Sequence, residues 1–199
     1  MLNVTVKVDV SGVRKRLNEA KKGLGDRAVV SALNKTAAQA QTKMSRLIRD
    51  DYVISAALVR ERLKVRRAAK RGEFAFEAAL MGNANNQPRS MNLIHFLERK
   101  TTLAEGRRRA KAGTQSQLFF KIKKGKGKAT LSRAFVGNKG RTVFERVGKA
   151  RLPIRPVQTI AVSQMFNTKK NRGAVEAFIA EAFPRIFQRE AAYYLSTLK

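Results

Sequence analysis

One apolar stripe constrains the fold more than any other feature of this sequence. After Asp26, apolar residues recur every three or four positions over about six helical turns. The stripe consists of Val29, Leu33, Ala37, Ala40, Met44 and Ile48. A helix of that length with one apolar face needs a second layer of structure to cover it. Because Asp50 and Asp51 oppose the dipole at a helix C-terminus, we expect the helix to end there, with a short helix near Ala56–Leu63.

Strand patterns supply the second layer. Valines alternate with polar residues from Val4 to Val10, and phenylalanines alternate in the segment GEFAFEAAL at residues 72–80. Farther along, the segments LFFKIKK, KATLSRAFVG and GRTVFERVG predict three more strands, joined by turns at GKG and GNKG. A last helix is predicted from about Gly173, and Pro184 is expected to kink or split it.

These elements do not alternate as regular βαβ units, so the sequence predicts an α+β fold. We expect an antiparallel β-sheet packed against the long N-terminal helix, with a C-terminal helix and a basic extended hairpin. A single domain over residues 1–199 is predicted, with a mobile basic arm around residues 99–128, where apolar residues are sparse before the hairpin begins.

The charge of the chain is far from balanced. Its 199 residues include 43 Lys plus Arg against 14 Asp plus Glu, a formal net charge of +29. Such a charge repels itself and attracts polyanions, of which nucleic acid is the commonest, so we expect a negatively charged partner. The lack of cysteine in the sequence excludes disulfides and thiolate metal sites. No apolar block resembles a signal peptide or a membrane span, so we expect synthesis in the cytoplasm and no membrane contact.

Two basic clusters are candidate DNA-facing surfaces. One is the run Arg107, Arg108 and Arg109, and the other comprises Lys121, Lys123, Lys124, Lys126 and Lys128. On the predicted hairpin, Phe119 and its neighbouring lysines face one way, while Leu118 and Phe120 face the other. Contacts with nucleic acid would reach the phosphate backbone, independent of base sequence and sensitive to salt. The alternative, to which we give equal weight, is that these basic clusters form an ordinary solvated surface that binds no ligand.

No constellation of residues predicts an enzyme. The only histidine, His95, has no cysteine or second histidine with which to share a metal, so we interpret it as structural. Glu73 and Glu77 on a strand would lie about 13 Å apart, too far for the carboxylate pair of a glycosidase. The segment IKKGKGKA lacks the first glycine of a phosphate-binding loop and has Ala129 where a hydroxyl belongs. We therefore expect no catalytic residues, no cofactor and no metal.

The segment RTVFERVGKARLPIRPVQTIAVSQMFN, residues 141–167, carries a recognisable pattern. A strand with Phe144 and Arg146 is followed by a turn with Gly148, an Arg-x-Pro-Ile element of Arg151, Pro153 and Ile154, and then AVSQMF. This order resembles the minor tail protein Z family of long-tailed bacteriophages, also called tail completion proteins. The stretch from VVSALNKTAAQAQ to LKVRRA, residues 29–68, is similar to the family's N-terminal helix and the basic segment after it. Residues 99–128 have no clear equivalent in these two blocks.

The resemblance implies a structural subunit that forms a ring at the head-proximal end of the tail, around the DNA channel. It implies contacts with a tail terminator protein, a head connector protein and other copies of the chain, together with non-specific contacts with genomic DNA. The expected location is the virion tail, with the host cytoplasm before assembly. The lysine-rich hairpin would then approach the DNA channel, and an acidic patch on a neighbouring ring is the competing destination.

The segment RLPIRP, residues 151–156, is a candidate interface element because two prolines fix its backbone and lower the ordering cost of docking. The interface candidates in and beside it are Arg146, Arg151, Pro153, Ile154 and Pro156. A rigid connection within the chain is the alternative interpretation of the same prolines.

Two other classes of protein compete with this interpretation. A general nucleic-acid-binding protein of the ribosome-associated type would share the charge but would not explain the pattern at residues 141–167. A nuclease is disfavoured by the single histidine and the scattered acids.

Overall fold

The computed structural model describes residues 10–20, 23–71, 75–82, 90–98, 108, 111–112, 118–131 and 134–197. The helices in these residues are α1 (Ser11–Ala20), α2 (Leu24–Asp51), α3 (Ala56–Arg62), α4 (Val162–Phe166) and α5 (Lys169–Ser196). The strands are β1 (Lys64–Arg71), β2 (Ala75–Met81), β3 (Ser90–Asn92), β4 (Leu118–Phe120), β5 (Ala129–Leu131), β6 (Ala134–Gly137), β7 (Thr142–Arg146), β8 (Ile154–Pro156) and β9 (Gln158–Ile160). Single 3₁₀ turns occur at Leu93–Phe96 and Asn138–Gly140. This mixture confirms the α+β class.

The described strands pair in four small antiparallel sheets, β1–β2, β3–β9, β4–β5 and β6–β7–β8. Except for β1 and β2, these strands are only three to five residues long, and no sheet among the described residues has more than three strands. The segment predicted as one strand from residue 128 to 137 is divided into β5 and β6. Of the strand predicted at Val4–Val10, only Val10 lies in the described residues, and Glu73 lies outside them.

The chain divides into two compact units. The first comprises Met1–Leu47, Val59–Gln87 and Val162–Lys199, and the second comprises Ile48–Leu58 and Pro88–Ala161. The single domain over residues 1–199 remains a prediction. Both units are strongly basic, because the first contains 23 basic and 9 acidic residues and the second contains 20 and 5. The excess positive charge is therefore a property of the whole chain. Among the described helices, none combines the length and the apolar character needed to cross a membrane.

The core of the first unit lies among α1, α2 and α5. Its buried members are Leu17, Leu24, Ala28, Val29, Ala32, Ala182, Phe183, Ile186, Phe187 and Ala191. Phe76 of β2 packs against this core, and Ala68 of β1 donates its backbone N–H to Asn34 Oδ1 of α2 at 2.8 Å. The predicted packing of strands against the long helix is thus present in this unit. Alanines in the core let the helices approach closely, while the stacked rings of Phe183 and Phe187 fill the space beside them.

Helix α5 continues through Pro184, so of the two predicted effects of this proline the splitting does not occur, and a kink stays a prediction. Proline has no backbone N–H, and the carbonyl of Ala180 therefore lacks its usual partner. Burial of Phe183 and Ile186 on either side of the proline holds the helix against the core despite that loss. The helix begins four residues before the predicted Gly173, where Thr168 Oγ1 accepts a hydrogen bond from the backbone N–H of Asn171 at 3.3 Å.

A buried carboxylate joins α2 to α5. Glu190 is only 4% exposed, and its two oxygens accept hydrogen bonds from Ser31 Oγ at 2.7 Å and Lys35 Nζ at 2.6 Å. Burial alone would raise the pKa of Glu190, but the hydrogen bonds from Lys35 and Ser31, with the positive charges of Lys35 and Arg189, lower it below its ordinary value of 4.5. A buried carboxylate without these donors would destabilise the helix pair.

We expect Glu190→Gln to lower the free energy of unfolding by about 1–3 kcal/mol, because the amide cannot accept both hydrogen bonds and the ion pair is lost. The contribution of Glu190 is present above the ordinary carboxyl pKa and is lost as the pH falls through the lowered folded pKa. The stability difference between wild type and variant should therefore be constant near neutral pH and shrink below about pH 4.5. Urea denaturation across this pH range measures it.

Glu176→Gln is the matched control on the same helix. Its carboxylate pairs with Arg172 at 2.8 Å in an exposed i,i+4 arrangement, so we expect a loss of only about 0.5 kcal/mol. Equal losses for the two variants would contradict the assigned role of Glu190.

Candidate nucleic-acid interface

The lysine-rich hairpin is formed by β4 and β5, with residues 121–128 between them. Leu118 pairs with Leu131 and Phe120 with Ala129, in antiparallel register. Leu118 is buried and Phe119 is 47% exposed, so the two faces differ as the alternation of residue types predicts. Leu118 faces inward, the opposite face carries Phe119 paired with Thr130, and the lysines lie in the connecting residues 121–128.

Backbone hydrogen bonds anchor this hairpin on its other side. The Lys121 N–H donates to Phe96 O at 3.0 Å, and the Glu98 N–H donates to Phe119 O at 3.1 Å. Beyond β4, the Lys124 N–H donates to Asp51 O at 3.0 Å. Residues 118–128 of the predicted arm are therefore bonded to two other segments of the second unit. The mobility of the remaining residues of the arm stays a prediction.

The lysines of the tip project into solvent. Lys123, Lys124, Lys126 and Lys128 are all exposed, whereas Lys121 is half-buried. Lys128 Nζ lies 3.0 Å from Glu98 Oε2, and Lys123 Nζ lies 5.6 Å from the centroid of the Tyr52 ring. Within the described part of the chain, Lys124 and Lys126 form no ion pair. The tip thus presents at least two ammonium groups to an external anion.

The second predicted cluster is described only in part. Arg108 is exposed, while Arg107 and Arg109 lie outside the described residues. The structure therefore gives no arrangement of this run relative to the lysines, and its role as a DNA-facing surface remains a prediction. No group of three or more His, Asp or Glu residues able to hold a metal ion occurs among the residues that the structure describes.

The predicted interface residues lie together on the hairpin of β7 and β8. Arg146 donates to the backbone oxygen of Arg151 at 2.6 Å, and its guanidinium carbon lies 5.2 Å from the centroid of the Phe135 ring. The Val147 N–H donates to Pro153 O at 3.1 Å, which closes the loop at its base. Arg151, Pro153, Ile154 and Pro156 follow in this loop and in β8, all exposed.

Sequence reasoning missed two apolar residues of the same hairpin. Val147 is 56% exposed and Leu152 is 66% exposed, beside Ile154 at 37%. In sequence Val147 stands between Arg146 and Gly148, and Leu152 stands between Arg151 and Pro153, with no helical or strand period that would set them apart from ordinary loop residues. The available signal was their apolar character inside a segment rich in charge.

The side chain of Asn92 supports the start of this hairpin. Its Oδ1 accepts from the backbone N–H of Val143 at 2.8 Å and from that of Ile94 at 3.1 Å, and its Nδ2 donates to Val143 O at 3.0 Å. The amide therefore bonds both main-chain groups of a fully buried residue in β7, as a neighbouring strand would. It also caps the 3₁₀ turn at Leu93–Phe96.

We expect Asn92→Ala to lower the free energy of unfolding by about 1–3 kcal/mol, because the backbone N–H of buried Val143 loses its acceptor, whereas Val143 O keeps the hydrogen bond from the Val157 N–H. Asn92→Asp should fall between wild type and Asn92→Ala, since it keeps the acceptor and loses the donor. Gln158→Ala is the control, because this exposed residue pairs with Asn92 in the β3–β9 ladder and its side chain only accepts a 3.3 Å bond from Ser90. Urea denaturation that ranked Gln158→Ala with Asn92→Ala would refute the assignment.

Comparison with known proteins adds one positive result. The family model described as Prophage minor tail protein Z (GPZ) matches residues 11–199, which includes the region 99–128 left outside the two sequence blocks. No curated protein and no solved structure matches the chain.

Proposed function

Because this chain belongs to the prophage minor tail protein Z family, and is thus a component of the virion tail, we propose that it completes the tail and joins it to the head. In this proposal several copies form a ring at the head-proximal end of the tail, around the channel through which DNA passes. The ring contacts a tail terminator protein on one side and a head connector protein on the other. Before assembly the protein resides in the host cytoplasm.

The observation that carries the DNA part of this proposal is the anchored lysine hairpin. Its backbone is bonded to Phe96, Glu98 and Asp51, while the ammonium groups of Lys124 and Lys126 extend from it. A duplex carries one negative charge per about 1.7 Å of its axis, so a ring of such hairpins would meet a continuous row of phosphates. The hydrogen-bonded backbone fixes the positions from which the lysines extend, and their flexible side chains adapt to the positions of the phosphates.

The chemistry of the hairpin favours contacts that are independent of base sequence. Lysine ammonium groups act as point charges and lack the planar fork of arginine, so they suit contacts with phosphates. Residues 121–128 contain lysine, isoleucine and glycine, and no arginine, asparagine or glutamine that would add fixed base-reading geometry. Sequence-independent contacts also suit a channel through which a whole genome must pass.

The proposed role is structural and not catalytic, in agreement with a family of structural tail proteins. The high positive charge alone would equally allow a ribosome-associated factor. The family match over residues 11–199 favours the tail, and for this reason we place the partner DNA inside a virion.

Deletion of the gene from its prophage tests the joining role. After induction we expect filled heads and finished tails to accumulate separately, because the element that connects them is missing. Electron microscopy of the lysate counts joined and separate particles, and expression of the full chain from a plasmid should restore joining. Normal numbers of joined particles without the gene would contradict the proposal.

Neutralising the lysine hairpin tests the DNA contact. We expect the variant with Lys123, Lys124, Lys126 and Lys128 changed to Gln to bind short duplexes more weakly. The slope of log affinity against log salt should flatten by up to about 0.9 for each lost phosphate contact. Fluorescence anisotropy with two unrelated duplexes over a range of salt concentrations measures both quantities.

A matched variant separates the hairpin from the general charge of the protein. Changing the exposed residues Lys15, Lys43, Lys64 and Lys169 to Gln removes the same amount of charge from the first unit. We expect this control to retain most of the DNA affinity and slope of the wild type. If both variants lose affinity equally, binding reflects net charge alone, and if only the control loses it, the DNA surface lies in the first unit.

A further inference from the structure

Three exposed apolar side chains lie close in sequence on the β7–β8 hairpin. Val147, Leu152 and Ile154 define what we call the apolar tip. Single exposed apolar residues are common on protein surfaces, whereas these three fall within eight consecutive residues of one hairpin, and such a local excess favours an interaction site. Of the three, Leu152 has two thirds of its surface exposed although it lies in a closed and hydrogen-bonded loop.

The loop that carries the apolar tip is held in one conformation. Arg146 reaches across the loop to the backbone oxygen of Arg151, and Val147 is bonded to Pro153. The guanidinium of Arg146 also lies over the Phe135 ring, so this residue serves the hairpin itself. A loop fixed before binding loses little conformational entropy when it docks.

The edge of β8 does not favour pairing with a further strand. In the described sheet β8 is an outer strand, paired only with β7. Across the β7–β8 ladder, the Val147 N–H donates to Pro153 O and the Val157 N–H donates to Val143 O. Main-chain groups alternate in direction along a strand, so those of Ile154 and Pro156 point away from β7. Proline has no N–H to donate, so the outer edge is blunted. A partner would therefore contact the side chains of the apolar tip.

The surroundings of the apolar tip are positively charged. Lys149 and Arg151 lie in the loop itself, and both are exposed. Arg155 on β8 is neutralised by an ion pair with Glu145 of β7. The apolar surface is thus rimmed by two basic side chains, which complement a partner that carries carboxylates around an apolar pocket.

A second copy of the chain is a poor match for this surface. Seven of its 14 carboxylates are already paired with cations of their own chain, namely those of Asp26, Glu61, Glu77, Glu98, Glu145, Glu176 and Glu190. Docking on another copy would bring Lys149 and Arg151 toward a molecule of charge +29. The partner should therefore be a different and acidic protein.

We propose that the apolar tip docks into an apolar pocket with an acidic rim on another protein of the tail. Val147 and Leu152 are the anchors that enter the pocket, and Lys149 and Arg151 face its carboxylates. This inference rests on the proposed function, since it supplies the contact by which the chain attaches to a finished tail. It assigns that contact to a surface distinct from the lysine hairpin, so that attachment to the tail and DNA contact are separable.

Tails purified from the deletion lysogen are the probe. We expect the wild-type protein to co-sediment with them, and the double variant Val147→Ser, Leu152→Ser to bind at least about tenfold more weakly. Lys149→Glu with Arg151→Glu should also weaken binding, through repulsion from the acidic rim. The serine variant keeps every charge, so its affinity for short DNA duplexes should equal that of the wild type. Val13→Ser, a change at a 45% exposed residue of α1, is the control and should bind tails normally.

Each outcome has a distinct meaning. If the wild-type protein does not bind the tails, the proposed function fails and this inference fails with it. If the wild type binds and the serine variant binds equally well, the inference alone is overturned. A serine variant that binds tails but changes the self-association of the protein in sedimentation velocity would identify a second copy as the occupant, which also overturns it. Thermal unfolding monitored by circular dichroism checks the fold, and Leu152→Ser alone replaces the double variant if that variant unfolds.

Discussion

Scarcity of negative charge is the constraint on which the structure of this protein depends. Three of the few carboxylates pair with a cation from a different helix or strand. Asp26 of α2 bonds Arg14 of α1, Glu77 of β2 bonds Arg66 of β1, and Glu190 of α5 bonds Lys35 of α2. A buried position is acceptable for Glu190 because the hydrogen bonds from Ser31 and Lys35 compensate its loss of water. Basic residues outnumber acidic residues by 29, so most cations have no carboxylate of the chain to offset them, and the excess charge favours a negatively charged partner.

The two hairpins of the second unit present this excess in different ways. The lysine hairpin shows ammonium groups on a backbone bonded to neighbouring segments, which suits a flexible and uniform polyanion. The apolar tip shows Val147, Leu152 and Ile154 with a narrow basic rim, which suits a shaped protein surface. A tail protein that must attach to a particle and also tolerate moving DNA needs both kinds of contact, and our proposals assign one to each hairpin.

The sequence predicted the elements better than the contacts between them. The stripe from Val29 to Ile48 and the acids at its end placed helix α2, because helical periodicity is local and long. The division into small sheets was not predicted, because three-residue strands carry almost no period. Glu190 was not identified, since its partner Lys35 is 155 residues away, and Asn92 was missed because a side chain that replaces a strand has no sequence signature. The family pattern at residues 141–167 was visible, whereas the exposure of Leu152 depends on the closed loop around it.

The anchoring of the lysine hairpin has an evolutionary consequence. The backbone hydrogen bonds that tie it to Phe96, Glu98 and Asp51 join main-chain atoms, and Lys124 and Lys126 form no ion pair in the described part of the chain. The path of the hairpin therefore does not depend on the side chains at these two positions. Mutations can therefore add, remove or exchange basic residues there without cost to folding. In the proposed contact with DNA, such changes would adjust the affinity for the genome in small steps while the scaffold stays unchanged.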